Sequence, residues 1–247
     1  MRPSAPTRIA EVAERLRAVE ASARSSDGVV CFVRLYREVT ESVAAQMSSN
    51  GFADALFLER LDVVFAELFF DALDRYQRVP ASAPSSWVPL FEARARRGIA
   101  PLQFALAGMN AHINFDLPLA LVSTCEQRGI ELRADSPESA DYELVNTLLD
   151  RVEARVKRSY LTGPLATIDR FLHRFNRIDD VIAMWDVRRA REAAWTNAEA
   201  LWAIRGDAAL RAEFVRVLDR SVGFAGRGLL VPAETLLARF ARLFRRS

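Results

Sequence analysis

Four polar side chains interrupt an otherwise apolar stretch of this chain, Asn110-Ala-His112-Ile-Asn114-Phe-Asp116-Leu-Pro118. At 100° per residue, Asn110 and Asn114 share one helix face, while His112 and Asp116 share another that is roughly opposite. A histidine held by a carboxylate is a unit for proton transfer, because the carboxylate orients the ring and tunes its pKa. Asp62 falls between Leu58 and Phe65 at helical spacing and could meet this pair. Together they could move a proton in an isomerisation, cyclisation or elimination. The same three residues could instead hold a divalent metal (iron, manganese or zinc) in a mixed imidazole and carboxylate site. Asp169 and His173 repeat the spacing on a later segment. Helical di-metal proteins use Glu-x-x-His pairs with further glutamates, and that spacing is missing from this chain.

Helices must position these groups. Apolar residues recur at helical spacing nearly everywhere and alternating strand patterns are absent, which predicts an all-α fold. The expectation is a single-domain bundle spanning 1–247, with about nine to ten helices. Helices are expected over 7–24, from an Asp27 cap to 48, and from an Asp54 cap to 78. A short fourth follows, capped by Ser86. The fifth covers 100–127, the sixth 138–160, a short seventh ends near 175 and the eighth covers 177–204. A ninth opens at Asp207 and ends at Gly223 to Gly228, and the last covers 232–246. The fifth is apolar all round and so belongs in the middle of the bundle. Pro118 removes the bond to the Asn114 carbonyl, so the helix should kink at the polar motif.

In such a position each polar group must find a partner or cost about 1–3 kcal/mol. One reading is a buried network that only fixes packing. The other is a pocket for a hydrophobic small molecule between the third, fifth, sixth and eighth helices. In that pocket His112 would be the acid–base or ligand residue, with Asp62 and Asp116 as partners. Asn110, Asn114 and Asn146 would orient the ligand. Arg191 lies on the same side of the eighth helix as Trp195, which would form an apolar wall.

Composition excludes several alternatives. The net charge is only +2 with acids and bases interspersed, which argues against a nucleic-acid footprint. Lys157 is the sole lysine, a bias that fits a GC-rich genome. Cys31 and Cys125 are far apart and lack metal-type spacing, so they read as reduced core residues. The apolar stretch 99–122 is broken by Gln103, Asn110, His112, Asn114 and Asp116, which disfavours a membrane span. With no secretory h-region at the N-terminus, the cytoplasm is the expected location. Asp71-x-x-Asp74 and Asp179-Asp180 lack the clustering that holds magnesium-diphosphate in terpene synthases. No nucleophile elbow or phosphate loop occurs. The C-terminal helix, with Leu236, Phe240 and Phe244 on one face and arginines elsewhere, is expected to dock on its own domain rather than on a membrane or partner.

Four segments carry a resemblance. They are Glu59-Arg-Leu-Asp-Val-Val-Phe-Ala66, Gly108-Met-Asn-Ala-His-Ile-Asn-Phe-Asp-Leu117, the spaced Asp141…Val145-Asn146…Leu149, and Arg191-x-x-Ala194-Trp195-x-x-Ala198. In these the chain resembles an uncharacterised bacterial domain-of-unknown-function family of helical proteins. The resemblance implies an all-α fold and no settled activity. By matching position it points at Asp62, Asn110, His112, Asn114, Asp116, Asn146, Arg191 and Trp195.

Overall fold

The computed structural model describes residues 8–24, 26–47, 51–147, 149 and 186–232. The fold is all-α. Eight α-helices are bounded within these residues: α1 (Arg8–Ser22), α2 (Gly28–Met47), α3 (Ala55–Arg78), α4 (Val88–Ala93), α5 (Pro101–Ala111), α6 (Leu117–Arg128), α7 (Val187–Ala203) and α8 (Ala208–Leu229). A further helical run covers 137–147. The seventh and last helices expected from the sequence, together with Asp169, His173, Asp179 and Asp180, lie outside the described residues.

The helix starts follow local capping chemistry. Asp54 accepts from the Phe57 N–H at 2.9 Å, and Asp207 accepts from the Leu210 N–H at 3.0 Å. Each carboxylate satisfies an N–H that the first turn leaves without an intrahelical partner. Ser86 does not cap α4, contrary to expectation. Its N–H and that of Ser85 instead donate to the Asp219 carboxylate of α8, both at 2.8 Å. The α8 helix also runs through its glycines to Leu229 rather than ending among them. A Cβ at Gly223 would overlap the Ser85 carbonyl, so the glycine is there for close approach.

The fifth predicted helix is present as α5 and α6 joined by a π-helical turn, His112–Asp116. At this join the Leu117 N–H bonds to the His112 carbonyl, five residues back. The break expected at the polar motif is present as a π turn. Its physical reason is Pro118. The wider turn restarts the helix at Leu117, so proline falls in the first turn of α6, where its missing N–H costs nothing.

Two apolar cores flank this central rod. One gathers Phe32, Phe69, Trp87 and Phe91 from α2, α3 and the α4 region. The other gathers Phe57, Leu117, Leu121, Tyr142 and Leu201 from α3, α6, the 137–147 helix and α7. Met109 packs against both. Glycine sets the approach of α2 to α5. A Cβ at Gly108 would overlap the Phe32 ring, and one at Gly28 would overlap Phe104. That contact carries Phe32 and Tyr36 over the π turn.

Candidate active site

His112 is 3% exposed and is held by aromatic rings. Phe65 from α3 lies parallel to the imidazole, with ring centroids 3.4 Å apart and planes 5° apart. Tyr36 meets it edge-on at 4.4 Å and Phe32 at 5.6 Å. Asp116 is one turn further along the rod, and its Oδ2 lies 2.9 Å from His112 Nδ1. Behind it, the fully buried Trp87 donates its indole N–H to the same oxygen at 3.0 Å. Trp87, Asp116 and His112 thus form a buried chain in which each member fixes the next.

The far end of this chain is open. His112 Nε2 is buried and has no hydrogen-bond partner among the described residues. Burial pushes the imidazole well below its ordinary range, so the ring is neutral, with one N–H and one lone pair. Burial also pushes Asp116 well above the usual carboxylate range, while the Trp87 N–H pulls the other way. With Nδ1–H donating to an Asp116 carboxylate, Nε2 offers a lone pair. With a protonated Asp116 donating to Nδ1, Nε2 offers its hydrogen. Either way the atom at the open end can exchange a proton.

Among the described residues, five more polar groups share this condition, and three of them belong to α2 and α3, the helices whose rings meet His112. Asp62 Oδ2 and the Tyr36 and Thr40 hydroxyls are buried without partners. Tyr36 and Thr40 are neighbours one turn apart on α2, yet neither hydroxyl makes a bond of ordinary geometry. Burial raises Asp62 from 3.8 to about 7. Burial, then the Asp62 and Asp116 carboxylates, push the Tyr36 phenol well above its usual value, with the Thr40 hydroxyl opposing.

A cavity of about 90 Å³ adjoins these groups. Tyr36, Asp62, His112 and Arg191 line it among apolar residues such as Leu58, Ile113 and Leu149. The lining draws on both cores, so the cavity lies at the seam where they fail to close. Four of its walls come from the expected third, fifth, sixth and eighth helices. The remaining wall is α2.

The sequence-predicted residues divide among three places. His112, Asp62 and Arg191 line the cavity, and Asp116 supports His112 from behind. Asn110 and Asn114 lie on the other face, away from the cavity. Asn114 donates to the Asn110 side-chain Oδ1 at 3.1 Å, and Asn110 Nδ2 donates to the Val222 backbone carbonyl of α8 at 3.0 Å. Asn146 accepts from Arg191 Nε at 2.6 Å and donates to Glu143 at 2.8 Å. Trp195 packs on the Tyr142 ring at 5.0 Å and donates to Glu199 at 3.0 Å, off the cavity wall. Among the described residues, no three His, Cys, Asp or Glu side chains converge as metal ligands.

Sequence reasoning missed Tyr36, Thr40, Phe65 and Trp87 as parts of the site. A signal existed for three of them. Tyr36 and Thr40 stand four residues apart on the inward face of α2, as His112 and Asp116 do on the rod. A buried tryptophan also needs an acceptor for its N–H, and Asp116 is that acceptor.

Among the described residues, no helix is long and apolar enough to cross a membrane. No curated protein and no solved structure matches this chain. Residues 9–232 match the model of a family of unknown function, DUF5995, and the chain belongs to that family.

Proposed function

We propose that this protein is an enzyme that binds a small, largely apolar molecule in the seam cavity and transfers a proton at His112 Nε2. The observation that carries the reading is the asymmetry of His112: Nδ1 is fixed by Asp116, and Nε2 is buried and unpaired beside a cavity. Asp116 sets the ring's orientation, and Trp87 sets that of Asp116. Asp62, with a pKa near neutrality, is a second group able to gain or lose a proton at working pH. Reactions of this type include isomerisation, cyclisation and elimination. Both cysteines are free, which accords with the cytoplasmic setting proposed for it.

A second reading is a non-catalytic helical module, favoured by the Asn114–Asn110–Val222 chain, which bonds helix to helix with no cavity involved. A small ketone separates the two. Cyclopentanone should shift the ¹⁵N resonance of His112 Nε2 and exchange its α-hydrogens for deuterium on the protein. His112→Phe keeps the ring stack and should still unfold cooperatively, but lose the exchange by about 100-fold or more. An unshifted resonance, together with a loss of several kcal/mol in stability for His112→Phe, would establish the structural reading instead.

A further inference from the structure

Among the described residues Arg191 is a buried cation with no counter-ion, and it lines the cavity. It is 7% exposed and lines the cavity wall. Its Nε donates to Asn146 and one terminal nitrogen donates to the Tyr142 carbonyl at 2.8 Å. The Tyr142 ring lies 3.8 Å beneath the guanidinium, and the Tyr142 hydroxyl donates to the Arg191 carbonyl at 2.8 Å. All of these partners are neutral. They hold the guanidinium in one orientation without cancelling its charge. The carboxylate it feels is Glu143, which is exposed and reached through Asn146. No carboxylate forms an ion pair with Arg191 among the described residues. A buried charge left in that state is costly unless something pairs with it, and a guanidinium has five N–H donors in a fork that fits carboxylate oxygens.

We infer that Arg191 is the seat of an anionic head group, and that the occupant of the cavity is a short-chain carboxylic acid with its apolar body among Leu58, Ile113 and Leu149. This rests on the proposed reading of the cavity as a ligand site and adds the class of ligand. The charge count favours a monoanion: Arg191 is the one arginine among the described lining residues, so a phosphate dianion would lack a second cation there. Volume favours a short chain. A cavity of about 90 Å³ is far below the roughly 300–1,000 Å³ of sites that take drug-sized ligands. The geometry also separates the ends of the ligand's chemistry. The carboxylate is held on α7, and the reacting carbon is presented to the His112 side of the wall.

Calorimetry on the full chain tests this with pentanoate, its neutral isostere pentanamide, cyclopentanone and inorganic phosphate. Pentanoate should bind at least tenfold more tightly than pentanamide, and phosphate should not bind. Asn146→Asp should place a carboxylate against Arg191 Nε inside the protein. It should therefore weaken pentanoate at least tenfold, leave cyclopentanone unchanged and keep the fold. Arg191→Met should likewise abolish the preference for pentanoate over pentanamide. Equal binding of acid and amide, or phosphate binding in place of pentanoate, would overturn the anion seat while leaving the pocket in place. If cyclopentanone also fails to bind, the cavity is no ligand site and both readings fall.

Discussion

The two faces of the π-turned rod carry the same kind of side chain at the same spacing and treat it in opposite ways. On one face Asn110 and Asn114 bond to each other and to the Val222 carbonyl, and Gly226 of α8 comes close enough to enclose the amide. On the other face His112 and Asp116 bond to each other and to Trp87, but the chain stops at Nε2. Tyr36, Thr40 and Asp62 nearby are left unpaired as well. A buried polar group without a partner costs about 1–3 kcal/mol, so one face adds to stability and the other detracts from it. Folds retain such unfavourable groups mainly where function needs them.

The contrast is broken most directly at the satisfied face. Asn110→Ala removes the donor to Val222 and the acceptor for Asn114, and it leaves a small void under α8. Chemical denaturation should show a loss of about 2–4 kcal/mol, nearly the same at pH 5 and pH 8, because no titrating group is involved. A loss under 0.5 kcal/mol would mean that the asparagine face does not hold α8 to the rod, and the contrast would disappear.

The second test is at the cavity face and depends on pH. Asp62 has a folded pKa of about 7 against an ordinary 3.8, so between those values the folded state binds a proton that the unfolded state has released. Unfolding free energy therefore falls as pH rises through that window. Asp62→Asn removes the liability. Its advantage over the parent should be absent near pH 4 and grow to roughly 2 kcal/mol at pH 8, since Asp62 is only half-buried and the full linkage value is discounted. His112 acts in the opposite sense. Its pKa is lowered on folding, so its contribution is lost as pH falls below 6.5. Parallel pH profiles for parent and Asp62→Asn would show that Asp62 is solvated.

Much of this was legible in the chain, and the rest was not for a physical reason. Helix periodicity placed α1 to α3 because each carries apolar residues at helical spacing and, at Asp27 and Asp54, a capping carboxylate. The conflict between polar residues and an all-apolar helix located the rod, and the i, i+4 rule sorted its four polar groups onto the correct faces. What spacing could not supply was the neighbour. The partner of Asp116 is an indole 29 residues away, and the ring stacked on His112 belongs to a different helix. Asn110 looks as able to meet a ligand as His112 in one dimension, and only the position of α8 shows that its amide bonds to the Val222 carbonyl instead. The π turn was hidden too, because Pro118 signals a break without specifying which kind.

The smallest effect is the most discriminating, because its sign rather than its size carries the answer. Tyr36 is 5% exposed, its ring packs on Phe32, Phe65 and His112, and its hydroxyl is unpaired. Tyr36→Phe keeps every ring contact and removes one desolvated oxygen. If the hydroxyl does nothing for the fold, thermal unfolding should show a gain of about 0.5–1 kcal/mol. Binding of cyclopentanone should weaken in the same variant, since Tyr36 lines the cavity and its phenol is a donor with no partner among the described residues. Gain in stability with loss of binding is the signature of a group kept for a ligand. A loss of 1 kcal/mol or more with unchanged binding would instead place Tyr36 on the structural side. The two faces of the rod would then differ only in how completely their bonds are made.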